Sequence, residues 1–135
     1  MSKPEIRLCV PGAKEYALVL RLALGGVAIL KDLDAGTLDD LRAASDEACD
    51  CLLHQGREVA RIELTVTDGG DALTVSLAAD FTGETGEGAE ACQEETEISR
   101  AVLETLVPVV TLEAADCGCI RRIGLTLPKA VRMGA

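Results

Sequence analysis

The stretch "REVARIELTVTDGGDALTVSLAAD" most constrains what this chain can become. It contains two runs of alternating apolar and polar residues, Val59 to Thr67 and Ala72 to Ala79, joined by "DGGD". Alternation with a period of two reads as half-buried β-strands, and an Asp-Gly-Gly-Asp connection reads as the turn of a β-hairpin. Both strands carry β-branched residues on one face and polar ones on the other. One face must therefore be covered by helices while the other lies nearer solvent.

The remaining segments supply that cover. From Ala13 to Lys31, Tyr16, Leu20, Ala23, Leu24, Val27 and Leu30 recur at helical spacing and predict an amphipathic helix. Gly25 and Gly26 inside it each cost about 1 kcal/mol relative to alanine, so they mark either a close packing contact or a break. Thr37 precedes "LDDLRAASDEACDCLLHQ", with Asp39 and Asp40 in the first turn and Gly56 as a stop signal. Leu38, Leu41, Ala44, Ala48 and Leu52 form the expected buried stripe of this second helix. "EETEISRAVLETLVP" predicts a third, with Ile98, Val102 and Leu106 four apart and Pro108 ending it.

"IRLCVP" is a short strand ending at Pro11, and Val109 to Ala114 and Cys119 to Leu127 are two more, turning through "DCG". "FTGETGEGAEACQ" has no hydrophobic period and is expected to be a mobile loop, either a functional lid or a connector. The order is β-α-α-β-β-α-β-β without internal repeat or linker. It implies a single α+β domain over 1–135, a two-layer sandwich with a mixed, mostly antiparallel sheet and its helices on one face.

A chain of 135 residues can bury one proper core, but Tyr16 and Phe81 are its only aromatics, so Leu, Val, Ile and Ala must build it. Binding modes that stack bases on aromatic rings are excluded. With 23 acidic residues against 13 Lys and Arg, the formal net charge of -10 repels polyanions, so no nucleic-acid partner is expected.

The opening "MSKPE" lacks the character of a secretion signal. The apolar run from Tyr16 to Leu30 is broken by Arg21 and two glycines and falls short of a membrane span, so a cytoplasmic protein is expected. The six cysteines then read as reduced thiols. Cys49/Cys51 and Cys117/Cys119 have C-x-C rather than zinc-type C-x-x-C spacing, which leaves Cys51 and His54 as the one plausible helical ligand pair and no metal site expected.

The element order, the length and the wording "RLALGGVAILKDLDAGTLDDLRAASDEACDCLLHQG" resemble the anti-sigma-factor serine kinases of bacterial partner-switching systems. These belong to the GHKL, or Bergerat-fold, histidine-kinase-like ATPase superfamily. The likeness covers nearly the whole chain, and "EAC" within "SDEACDC" is its most specific local match. It implies a second helix bearing a general-base Glu and, four residues on, an Asn that coordinates the magnesium bridging the ATP phosphates. Glu47 stands at the Glu position and Cys51 at the Asn position.

The resemblance also implies an Asp that recognises adenine, followed by a Gly; in "ADFTG" these are Asp80 and Gly83, the glycine one residue late. A Gly-rich phosphate turn should open the third helix, where this chain has "EETEIS". Magnesium requires hard oxygen ligands, which a thiol is not. Glu94, Glu95 and Glu97 would occupy the positive helix end meant for phosphate.

The expected protein is thus a degenerate ATPase-fold regulator, a pseudokinase-like anti-sigma-factor module with weak or no ATP binding. Its implied partners are a sigma factor and an anti-sigma-factor antagonist, with a homodimer as a further option. The alternative is an active kinase that uses ATP and Mg2+ to phosphorylate the antagonist serine, Glu47 acting as base and the loop from Phe81 to Gln93 closing as lid. A metal or thiol sensor built on Cys49, Cys51, Cys117 and Cys119 is a third option.

Overall fold

The computed structural model describes residues 5–82, 92–115 and 118–128, with backbone alone for 92–95. The elements run β1 (Glu5–Pro11), a 3-10 turn (Lys14–Tyr16), α1 (Ala17–Leu30), α2 (Ala35–Leu53), β2 (Val59–Asp68), β3 (Ala72–Phe81), α3 (Cys92–Leu106), β4 (Val109–Ala114) and β5 (Ile120–Pro128). This is an α+β fold with the element order read from the sequence.

The five strands form one sheet in the order β1-β2-β3-β5-β4, and every neighbouring pair is antiparallel. The expected mixed sheet is corrected on this point, and connectivity gives the reason. The path from β1 through two helices to β2 reverses direction three times, into α1, into α2 and into β2, so β2 runs against β1. The single-helix crossover from β3 through α3 leaves β4 parallel to β3, but β5 inserts between them and opposes both.

The hairpin β2-β3 is as expected, pairing Leu64 with Leu77 and Val66 with Val75. At its turn the Gly69 N-H donates to the Ala72 carbonyl at 2.9 Å and the Gly70 N-H to Asp68 Oδ1 at 2.9 Å. Gly70 has φ +90°, a left-handed conformation that glycine adopts without steric cost.

Leu73, Val75, Leu77 and Ala79 of β3 are buried toward the helices, while Thr74, Ser76, Ala78 and Asp80 lie on the other, open face of the sheet. α2 is the central helix. It touches both α1 and α3 and lies over β3 and β5, whereas α3 reaches β4, which leaves α1 on the β1 side. A core of Leu, Ile, Val and Ala fills the layer between, with Leu24, Leu41, Leu52, Leu77, Leu103 and Ile123 fully buried. Lys31, just past α1, pairs with Asp68 at 3.0 Å, both side chains largely buried, and so ties the end of α1 to the end of β2.

Three local expectations change. The N-cap of α2 is Asp34, not Thr37: the Asp34 carboxylate accepts from the Thr37 N-H at 2.7 Å. That bond, which favours the ionised form, holds the Asp34 carboxyl below its ordinary range. The buried stripe of α2 runs as expected through Leu41, Ala44, Ala48 and Leu52, and Gly56 follows with φ +75°. On α3 the expected stripe is rotated: Ile98 and Val102 are exposed, and Leu103 is the residue that packs, because the helix turns toward α2 rather than straight down on the sheet. On α1, Tyr16 and Leu30 lie outside the core while Leu20, Leu24, Val27 and Ala28 are inside it.

Candidate functional site

The candidate residues start on α2. Glu47 and Cys51 lie one turn apart, Glu47 half-buried and Cys51 buried, in the helix that both other helices flank. Four-residue spacing puts them on one side of the helix, as a base and a metal ligand sharing a site would require. The atom that Cys51 presents there is sulfur. A hard octahedral cation is poorly served by it, and the carboxylates on either side point elsewhere. Asp46 and Asp50 line a shallow groove of about 290 Å3 with Lys14, Glu15, Leu18 and Arg21, on the α1 side. Arg21 Nε lies 3.7 Å from Asp46 Oδ2 there.

Asp80 does not join Glu47 and Cys51. It lies opposite Arg61 in the β2-β3 register, its carboxylate 2.8 Å from Arg61 Nε. Its neighbours in a second groove of about 290 Å3 are Glu63, Arg121 and Arg122, on the open face of the sheet. Alternation along β3 decides this: Ala79 points into the helix layer and Asp80 therefore points away. Phe81 again turns inward at the strand end, where the Arg57 guanidinium stacks 4.4 Å from its ring centroid, a cation-π contact.

Gly83 lies outside the described residues, as does the loop from there to Ala91. α3 starts at Cys92, so Glu94 and Glu95 fall in its first turn and Glu97 in the next, where it is exposed. The side chains of Glu94 and Glu95 are outside the described residues.

Three of the four cysteines whose side chains are described are interior packing groups; Cys117 and the Cys92 side chain lie outside the described residues. Cys49, Cys51 and Cys119 are buried and Cys9 is exposed, with no disulfide among them. Burial, reinforced by the charges of Asp46 and Asp50, pushes the Cys49 thiol up to about 12, which makes it a poor nucleophile and metal ligand near neutral pH. His54 closes α2 by donating from Nδ1 to the Asp50 carbonyl at 2.8 Å, because a carbonyl can only accept. Among the described residues no group of three or more His, Cys, Asp or Glu side chains is arranged to hold a metal ion. No described helix is long and apolar enough to cross a membrane.

Sequence reasoning passed over Gln55. It is 2% exposed, and its amide forms a two-way clamp on both backbone groups of one β5 residue: Nε2 donates to the Ile120 carbonyl at 2.7 Å and Oε1 accepts from the Ile120 N-H at 2.5 Å. The clamp fixes the end of α2, and with it Glu47 and Cys51, against the sheet. A lone Gln after an apolar helix carries no sequence signal for this role. No protein-family model matches the sequence, and no curated protein matches it.

Proposed function

We propose that this chain is a regulatory binding module of the anti-sigma-factor type, on a Bergerat-like scaffold whose nucleotide site has degenerated. The observation that carries the reading is the buried thiol of Cys51 one turn from Glu47, where the resemblance implies a magnesium-coordinating amide. Two further features support it. Asp80, in the adenine-recognition position, faces the opposite side of the sheet and is engaged by Arg61. Positions 94, 95 and 97, in the opening turns of α3, are all Glu by sequence, where a phosphate would meet like charge. The residues present do not fit an ATP-Mg2+ complex.

What remains is a layered α+β domain of net charge -10 that acts by docking. Its proposed partners are a sigma factor or an anti-sigma-factor antagonist, and such a protein would work in the cytoplasm.

The test is a calorimetric titration with ATP, with and without Mg2+, beside a binding assay against a sigma factor or antagonist domain encoded next to the gene. Expected are no heat up to millimolar ATP and a protein complex that forms without nucleotide. Micromolar, magnesium-dependent ATP binding would overturn the reading and put the active kinase in its place.

A further inference from the structure

The groove on the open face of the sheet, about 290 Å3 in volume, has no part in the regulatory reading. Its floor is half-buried Ala78 of β3. In the strand register Ala78 stands between Glu63 of β2 and Arg122 of β5, and Asp80 stands opposite Arg61. Residues paired across strands point to the same side of a sheet with Cβ atoms about 5 Å apart, so a short side chain between two long ones leaves a depression. Arg121, near the start of β5, adds a further guanidinium to the wall.

Charge sets this groove apart from the rest of the molecule. Among the described residues three arginines and two acids line it, whereas the whole chain has 13 Lys and Arg against 23 Asp and Glu. The guanidiniums are loosely held. Arg121 and Arg122 share the one carboxylate of Glu113, each at 3.5 Å, and Arg61 meets Asp80 at 2.8 Å with both side chains more than half exposed. Exposed ion pairs of this kind are weak, so the arginines can be re-aimed at little cost.

Guanidinium groups take carboxylates through paired N-H donors, and here they flank Ala78 from β2 on one side and β5 on the other. Glu63 and Asp80 repel a ligand that is only anionic and attract an ammonium group. Three positive and two negative groups are therefore complementary to a small molecule with two carboxylates and one ammonium.

We propose that this groove binds a small zwitterionic dicarboxylate, the chemistry of an acidic amino acid, its carboxylates on Arg61 and on Arg121 with Arg122, and its ammonium toward Glu63 and Asp80. An acidic protein or polynucleotide is a poorer occupant. Such a partner extends past the Debye length of about 8 Å and meets a chain of net charge -10, while a ligand of this size stays within the field of the groove itself. The inference goes beyond the regulatory reading and stands if that reading falls.

Titration of the full chain with L-glutamate at constant low ionic strength, followed by amide shifts in proton-nitrogen correlation spectra, tests it. Expected are a dissociation constant of about 1 mM or below, as a ligand of about ten non-hydrogen atoms reaches, and shifts concentrated at Arg61, Ala78 and Arg122. Glutarate, which lacks the ammonium, and γ-aminobutyrate, which lacks one carboxylate, should each bind at least about 10-fold more weakly. Arg61→Gln and Arg122→Gln should each weaken glutamate binding by about the same factor. Ala78→Ile, a substitution that suits a strand, should abolish binding by filling the groove. Arg100→Gln removes the same charge from the exposed Arg100-Glu104 pair on α3 and should leave binding unchanged.

No shifts up to about 20 mM glutamate overturn the proposal, as does glutarate or inorganic phosphate binding as tightly as glutamate. A loss in Arg100→Gln equal to that in Arg61→Gln overturns it as well, and so does undiminished binding by a folded Ala78→Ile variant.

Discussion

Helices α1 and α2 lie side by side in one layer, yet they use apolar residues in opposite ways. α2 is mixed in composition, and its Leu and Ala side chains converge on the core while its acids line the outside. α1 has nearly uniform apolar composition, and half of it points away from the molecule. A single apolar stripe is explained by burial within the chain; a second stripe on the same helix has to be explained by something outside it.

The sharpest way to break that contrast is to shorten one leucine on each helix. Leu41→Ala on α2, where the side chain is fully buried, should lower folding stability by about 3 kcal/mol in urea denaturation. Leu22→Ala on α1 should change monomer stability by less than about 0.5 kcal/mol. Comparable losses at both sites would mean that α1 is packed on both sides within one chain.

Next in size is an alkaline effect confined to α2. The Cys49 thiol is neutral in both folded and unfolded chains below its ordinary 9.0, and above it the unfolded chain ionises first while the fold holds the proton to about 12. The unfolded state then binds fewer protons, so stability falls with rising pH across that window, by up to about 1.4 kcal/mol per pH unit. Cys49→Ala should flatten this slope in pH-dependent urea melts; an unchanged slope would assign the loss to another group.

Gln55→Leu should cost about 2 kcal/mol, because it leaves the backbone N-H and carbonyl of buried Ile120 without the clamp. The smallest effects have opposite signs on adjacent residues. In dilute protein, Gly26→Ala should stabilise the fold by about 0.5 to 1 kcal/mol, and Gly25→Ala should gain less or lose, since its Cβ must displace the Arg42 guanidinium. Equal gains at both would mean that the Arg42 contact does not restrict position 25.

Much of this fold was legible because the signals were local. The DGGD turn, the alternation on either side of it and the stop at Gly56 are each set by neighbouring residues, and they placed the hairpin and the end of α2 to within a residue or two. Asp34 was missed as a cap because Thr37 is also a capping residue type, and only the geometry shows that Thr37 supplies the N-H. The rotated stripe of α3 was out of reach because Ile98 and Val102, which are exposed, satisfy with Leu106 the same period as the true packing face. The strand directions required knowing that β5 inserts between β3 and β4, a long-range choice.

The site was less legible still. The spacing of Glu47 and Cys51 could be read, but not that Asp80 turns to the far face, which depends on strand register. The second stripe of α1 was visible in Leu18, Leu22 and Ile29, yet an apolar helix in isolation does not say which side faces the core.

The Gln55 clamp also sets an order of events. It joins positions 65 residues apart, so it can close only after the hairpin, α3 and β4 have brought β5 alongside α2. Such a contact is expected to be absent from the folding transition state, so removing it should leave the folding rate nearly unchanged and appear as faster unfolding. One amide would then govern how long the assembled molecule lasts rather than how quickly it forms.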